Sequence, residues 1–477
     1  MKMPKISLWK VELGVFSVLL CLLVVKFFLI TQLTSSPDEL LRSYKFVYTD
    51  SFDWFANGLR LFDNASITLR NPGLPAIIKL LSGAGLIYLL PLFNQLAFLG
   101  LVVSIYYSLK ALTKHVPISM GIALLVFVNF TWATFANYLM ADIYAITAFS
   151  WAIYGMLSKR YKTSFALLGI SMLFQNFGYF LYPFWVAWFI FLHRVQIKRC
   201  IKQDIFKHTK AYIHLLLPVL LPLLIILPWH VYKWIYFGSP LYTKIDQMAL
   251  LKFHTGSISY YSHVAVNSLG LLLVCAVACG VYIAVRRRSL MSNEGVVFII
   301  LGLLLSSVFW FLCYDWPDKR FLLYVTPWFY LLVGYMLFVV LGKVRPVMML
   351  CIFVVLLYHA SLPSAPKVAM KQLPLADDYY ILFRDFGGLL QAKVARNRDY
   401  RNPVMNLSPV LYDSYKKSDY YRDSQADKYN AAIDYVDANY DFSRLCFRVL
   451  EGETYTINSV LVIRYNTDID KHTKICT

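Results

Sequence analysis

Residues 72–90 read PGLPAIIKLLSGAGLIYLL, and Pro91 follows. The stretch is apolar enough for a bilayer interior, yet Pro72, Pro75, Gly83 and Gly85 punctuate it. Proline removes a helix donor and glycine weakens a helix interior. Whether this stretch crosses decides the sidedness of everything after it. If it crossed, Lys110 and Lys114 would land opposite the N-terminal lysines, and every later loop would invert its charge bias. It is therefore expected to be a juxtamembrane or re-entrant helix on the outer side. Broken backbone at membrane depth is tolerated only where protein or a water-lined cavity covers it, so this helix is a candidate wall of a site.

Outward from that stretch the chain is a series of apolar runs. They fall at 13–30, 92–110, 117–136, 141–157, 163–177, 180–194, 211–229, 264–285, 295–313, 321–341 and 346–361. A helix needs about 20 residues to cross the ~30 Å hydrocarbon layer. Of the 477 residues, 59% are hydrophobic and 15% charged, against about 25% charged in soluble domains. A water-soluble core cannot hide that much apolar surface. The expected fold is an all-α polytopic membrane protein of about eleven spans. Residues 1–361 would form the membrane domain, with outer loops at 31–72 and 229–263. In the first of these loops Phe52, Phe55, Leu59 and Phe62 follow helical spacing, as in an amphipathic helix lying in the interface plane. Residues 362–477 change composition to Asp, Tyr, Arg and Asn and contain no span. They are expected to form a small extracytoplasmic α/β domain, with a helix over 377–397 and a strand over 455–465.

The formal charge of +19 does not signal nucleic acid, because of where it sits. Segments 1–12, 110–116, 158–162, 194–210, 286–294 and 342–346 together hold 19 Lys or Arg against 3 acids. The facing loops hold 9 against 8, and the tail 16 against 15. An excess confined to one side reports orientation: N-terminus in the cytoplasm, C-terminal tail outside. The first run, Leu13 to Ile30, is longer than a signal h-region and lacks a small-residue cleavage site, so it is expected to be a retained span. Five of the eight cysteines lie in apolar runs. Cys275 and Cys279 are spaced i, i+4 but have no nearby His or acid, which favours packing over metal binding. Cys446 and Cys476 are the only two in the tail, in a compartment that permits a disulfide.

The residues fit for chemistry collect on the outer side. Asp38-Glu39 opens the first loop, eight residues beyond the first run. Arg70-Asn71-Pro72-Gly73-Leu74-Pro75 introduces the broken helix; PWHVYKWIYFGSPLYT follows at 228–243, and DKRFLLYVTPWFYLL at 318–332. Asp142 lies near the outer end of an apolar run, where an acid is expensive and usually faces a cavity or a partner. In their order and sidedness these elements resemble the polytopic glycosyltransferases of the GT-C class, nearest the branch of protein O-mannosyltransferases and lipid A aminoarabinose transferases. Asp38-Glu39 matches the family's Asp-Glu pair. Arg70 to Pro75 resembles its R-x-P-G-x-P element. Pro228, Trp229, Phe237, Gly238 and Pro240 fit its P-W…F-G-x-P element, with Tyr232-Lys233 at the usual Asn position. Arg320-Phe321 with Pro327 resembles its R-Y-x-L-x-x-x-P element, Phe standing for Tyr. The resemblance covers about residues 10–345; the tail matches nothing.

That resemblance implies transfer of a sugar from a polyprenyl-phosphate donor. Phosphate already leaves readily, so one carboxylate suffices as base for the acceptor hydroxyl, and direct displacement inverts the anomeric carbon. Asp38 is the expected base, with Glu39 orienting it and Asp142 as a further site acid. Arg70, Lys79, Lys233 and Arg320 are the cations expected on the donor phosphate, the guanidiniums pairing bidentately; each is also suited to snorkelling at a helix end. No cofactor is certain. Because some family members carry a divalent metal, His230, His254 and His263 with Asp38 or Glu39 are conceivable ligands, but their spacing has no metal signature. The expected partners are the lipid bilayer and the lipid-linked donor. The implied setting is a bacterial inner membrane. Other classes remain open: a carrier or flippase for lipid-linked sugars, which would show inverted repeats with paired broken helices, or a glycan polymerase. No Walker A loop or strand-linked G-x-G-x-x-G is present, so ATP-driven transport and dinucleotide cofactors are unsupported.

Overall fold

The structure is a computed structural model describing residues 13–14, 16–21, 24, 51–59, 61–62, 70–202, 209–237, 256–285, 293–312, 319–341 and 346–361, with five short strands in the tail. Helix α1 is Ser51–Leu59 and α2 is Gly73–Gly83. A 3-10 turn at Ile87–Leu89 leads into α3, Leu90–Thr113. There follow α4 (Val116–Val128), α5 (Phe130–Phe135), α6 (Asp142–Leu157), α7 (Tyr161–Phe174) and α8 (Phe177–Lys202). Then come α9 (Thr209–Phe237), α10 (Gly256–Val285) and α11 (Glu294–Leu312). A 3-10 segment at Lys319–Tyr324 precedes α12 (Thr326–Leu341), and α13 is Pro346–Ser361. The described part of the first run is helical from Leu13 to Cys21 wherever it is described.

Helix α2 does not continue into α3. Its 11 residues rise only ~16 Å, short of the hydrocarbon thickness. A Schellman motif ends it: Gly85 takes φ +70°, its N–H bonds the Ser82 carbonyl at 3.2 Å, and the Leu86 N–H bonds the Leu81 carbonyl at 2.7 Å. The glycine-rich S-G-A-G punctuation therefore acts as a helix stop, as the sequence suggests.

Four helical stretches are long and apolar enough to cross a membrane: Ile87–Thr113, Phe177–Ile197, Leu215–Tyr236 and Tyr261–Ile283. Shorter apolar helices pack among them, and the whole is a multi-pass membrane bundle. At its centre α6 lies between α3 and α7, and α7 lies against α9. Small residues allow these approaches. A Cβ on Gly155 would lie 2.9 Å from Ser164 backbone, and one on Gly169 2.7 Å from the Cα of Pro222. Trp185, Phe298 and Trp328 fill the middle, the two tryptophans each edge to face with Phe298 at 5.3 Å and tilted against one another at 5.8 Å.

Three expectations need correction. The run 117–136 is broken: Asn129 has ψ 116° and begins a separate α5 as its N-cap. Much of the expected loop 229–263 is helix, because α9 runs on to Phe237 and α10 starts at Gly256. Membrane helices tolerate internal proline, so Pro228 does not stop α9. Helix α1 does not lie free in an interface. Trp54 and Phe55 are fully buried, and α1 packs on α2. Protein covers Trp54 and Phe55, while Phe62, just beyond the helix, is exposed.

In the tail, β1 (Tyr379–Ile381) pairs parallel with β2 (Cys446–Arg448), and β2 pairs antiparallel with β5 (Lys474–Cys476). The strand expected at 455–465 is a hairpin, β3 (Thr454–Asn458) with β4 (Val462–Asn466). Residues 379–381 are strand where a helix was expected.

Candidate active site

The acid expected near the start of an apolar run, Asp142, sits in the first turn of α6 and is only 4% exposed. A buried carboxylate is costly unless it is hydrogen-bonded. Two features stabilise this one. The Tyr324 hydroxyl donates to Asp142 Oδ1 at 2.7 Å, and the helix N-terminus favours negative charge. Tyr324 ends the 3-10 segment that also carries Arg320. Arg320 comes close to the same place: its Nη1 lies 3.9 Å from Sδ of Met140, two residues before Asp142. The guanidinium lies over the Phe321 ring at 4.9 Å. Behind them stands an aromatic wall. Trp310 stacks on Phe321 at 4.2 Å and on Tyr324 at 5.2 Å, and Phe177 lies 4.8 Å from Tyr324.

The strand of chain that delivers Asp142 is anchored from α3. Asn94 donates to the Tyr138 carbonyl at 2.6 Å, and Gln95 to the Ala136 carbonyl and the Asn137 side chain at 3.1 and 2.6 Å. Tyr144, on α6, in turn donates to Asn94. Burial pushes the Tyr138 phenol up from its ordinary value.

The R-N-P-G-L-P element is joined to this cluster through α7 and α8. Arg70 is buried. Its N–H bonds Asn57 Oδ1 at 3.1 Å, and its guanidinium lies 5.0 Å from the Trp54 ring centre. The amide of Asn71 bonds the Met172 carbonyl at 3.1 Å and Asn176 Oδ1 at 2.9 Å. Gly73 abuts the ring of Phe174, where a Cβ would come within 2.6 Å. That ring stacks at 5.3 Å on Tyr144, one turn or less from Asp142. Phe177, next to Asn176, touches Tyr324.

Lys79 and Lys233 flank the same element. The Lys79 ammonium donates to the Leu59 and Leu61 carbonyls at 3.3 and 3.2 Å, closing the C-terminal end of α1. Lys233 is buried on α9. One turn earlier, Trp229 stacks on Tyr232 at 5.2 Å and packs on Leu61. His230 pairs with the Tyr179 hydroxyl at 3.1 Å, and His263 with Asn267 at 3.0 Å. Among the described residues no three His, Cys, Asp or Glu side chains are grouped as a metal site would require. Asp38, Glu39 and His254 lie outside the described residues.

Sequence reasoning missed Tyr324, Asn71 and the Asn94–Gln95 anchor. Tyr324 had a usable signal, since it falls four residues after Arg320 and so about one helical turn along the same segment. Asn71 and Asn94 had none, because a lone amide in a polar turn or at a helix start is commonplace.

The bundle of apolar helices with a short helix, α2, before its first long one has the polytopic GT-C membrane fold. Among the solved structures it matches are two of ArnT from Cupriavidus metallidurans. The crystal structure bound to undecaprenyl phosphate aligns with a TM-score of 0.53 at 13% identity, over 80% of this chain and 71% of that one. The apo structure aligns at 0.51 and 15%, over 81% and 70%. At this identity the likeness is one of fold. No family pattern and no curated protein matches the sequence.

Proposed function

We propose that the chain is an integral-membrane glycosyltransferase that moves a sugar from a polyprenyl-phosphate donor to an acceptor hydroxyl on the outer side of the membrane. The observation that carries this is the convergence of Asp142, Tyr324 and Arg320 in one buried cluster, linked through Asn71 and Phe174 to Arg70. Support comes also from a fold shared with a protein crystallised with undecaprenyl phosphate.

In this mechanism Asp38 removes the proton of the acceptor hydroxyl as the oxygen attacks the anomeric carbon. The bond from that carbon to the phosphate oxygen breaks, and the electron pair leaves with polyprenyl phosphate. The phosphate needs no general acid, so the base and the cations supply the catalysis. Glu39 orients Asp38. Asp142, fixed by Tyr324, accepts a hydrogen bond from a sugar hydroxyl. Arg320, Arg70 and Lys233 neutralise the leaving phosphate, and Lys79 holds the end of α1 beside them. The chain crosses about eleven times in a bacterial inner membrane, with its N-terminus in the cytoplasm and its tail outside.

The test is transfer by purified protein in vesicles, supplied with a defined polyprenyl-phosphate sugar and an acceptor extract. A new glycosidic bond and free polyprenyl phosphate should appear in equal amounts. Movement of the lipid-linked sugar between leaflets with no new bond would instead make the protein a carrier.

A further inference from the structure

Two helices of the bundle are broken, and the breaks meet. The first lies between α4 and α5, at Asn129; the second lies inside α10, at Gly270, where φ is 33° and ψ −111°. That conformation suits glycine and strains any residue with a Cβ. A Cβ there would also come within 2.3 Å of the His359 ring on α13.

Asn129 satisfies both breaks at once. It is 2% exposed, which excludes it as a glycan acceptor although Asn129-Phe130-Thr131 has the sequon pattern. Its Oδ1 accepts from the N–H groups of Thr131 and Trp132 at 3.1 and 3.3 Å, capping α5. Its Nδ2 donates to the Ser268 carbonyl at 2.9 Å, two residues before the kink. A kink interrupts the local i to i+4 ladder, and a buried carbonyl left without a partner costs free energy. The same amide reaches the Tyr330 hydroxyl at 3.5 Å, and Thr131 Oγ1 lies 3.4 Å from Ser268 Oγ.

Both arms of this joint lead to the candidate site. One arm is α5 and the 136–141 chain that delivers Asp142. The other is α10, which packs on the 3-10 segment bearing Arg320 and Tyr324. Ser268 sits level with Tyr330, a turn inside α12. The contact with the segment preceding α12 therefore falls to the half of α10 before Gly270.

We infer that Asn129 is a positioning residue: by bonding both helix breaks it sets Asp142 and the Arg320–Tyr324 segment against each other. The inference rests on the proposed transfer reaction for its kinetic consequence, but not for its structural one.

Asn129→Ser separates the two bonds. Serine still caps a helix but is too short to reach Ser268. Spin labels carried by non-natural residues at the exposed positions Val266 on α10 and Ile170 on α7 report the arm's position in the reconstituted full chain. In Asn129→Ser, and in Gly270→Ala if it folds, the distance distribution between these labels should shift and broaden. A control pair at Val281, beyond the kink, and Ile170 should stay unchanged. Transfer kcat/KM should fall about fivefold, the equivalent of one hydrogen bond, in Asn129→Ser, with thermal stability near wild type. An unchanged 266–170 distribution in Asn129→Ser would overturn the inference, even if activity fell. A shifted distribution in a protein that transfers no sugar would leave the joint standing and remove the transferase function instead.

Discussion

Tyr324 donates to the buried carboxylate of Asp142 at 2.7 Å, and the value of that contact can be measured. A hydrogen bond to a charged group contributes about 1.5–3 kcal/mol. Tyr324→Phe keeps the ring against Trp310 and Phe177 and deletes only the donor. Transfer should fall by about 10- to 100-fold, and Asp142→Asn by a similar amount. The double mutant should be little worse than either single, because both remove one interaction. Additive losses would show that Tyr324 and Asp142 act apart. Arg320→Ala should weaken donor handling, raising KM for the polyprenyl-phosphate sugar. Arg320→Lys should restore only part of it, since a point charge replaces a planar fork; full recovery would mean that the bidentate geometry is irrelevant. Asp142 and Arg320 could be singled out from sequence because charge amid apolar residues is conspicuous. Tyr324 is one of 35 tyrosines, and its spacing from Arg320 is the signal that could have marked it.

At the scale of elements, most helix positions were readable because a bilayer demands long apolar runs. The breaks were less so. The stop after α2 announced itself through Gly83 and Gly85, but Asn129 and Gly270 lie in runs whose hydrophobicity hides them. Both breaks depend on tertiary partners, Ser268 and His359, that no local pattern reveals. The extension of α9 to Phe237 was not legible because the His, Lys and aromatic residues after Trp229 do not continue the apolar run. Glycine substitutions separate packing from punctuation. A Cβ at Gly155 meets Ser164 backbone, which cannot swing aside. Gly155→Ala should therefore cost about 1–3 kcal/mol and lower the unfolding temperature of the detergent-solubilised protein. Gly83 has open space around its Cβ position, so Gly83→Ala should leave that temperature unchanged or raise it slightly. Equal effects at the two sites would mean that α6 and α7 do not approach as closely as their backbones imply.

For the whole molecule the charge distribution supports the proposed orientation, with the N-terminus in the cytoplasm and the tail outside, and fusions test it. Reporter fusions after Thr113, Lys162 and Arg288 should lie in the cytoplasm and those after Lys371 outside. A cytoplasmic tail would put the Asp142 end of the bundle on the side without acceptors. The tail offers a second check. Cys446 and Cys476 are register partners on β2 and β5, so in an oxidising compartment they should form a disulfide, contributing about 3–4 kcal/mol for a loop of roughly 30 residues. Labelling of either thiol by an alkylating agent in the folded, unreduced protein would rule it out. Asp38 was the residue the sequence marked most clearly for chemistry, through its place just after the first span and its adjacent Glu39. It lies outside the described residues, and its role rests on its place in the sequence and the resemblance of Asp38-Glu39 to the family's pair. The most direct measurement compares wild type with Asp38→Asn in vesicles, following both the new glycosidic bond and the released polyprenyl phosphate. Loss of the base should slow both together by about 10²–10⁴-fold with expression and membrane insertion unchanged; an Asp38→Asn protein that forms the bond at the wild-type rate would contradict the mechanism.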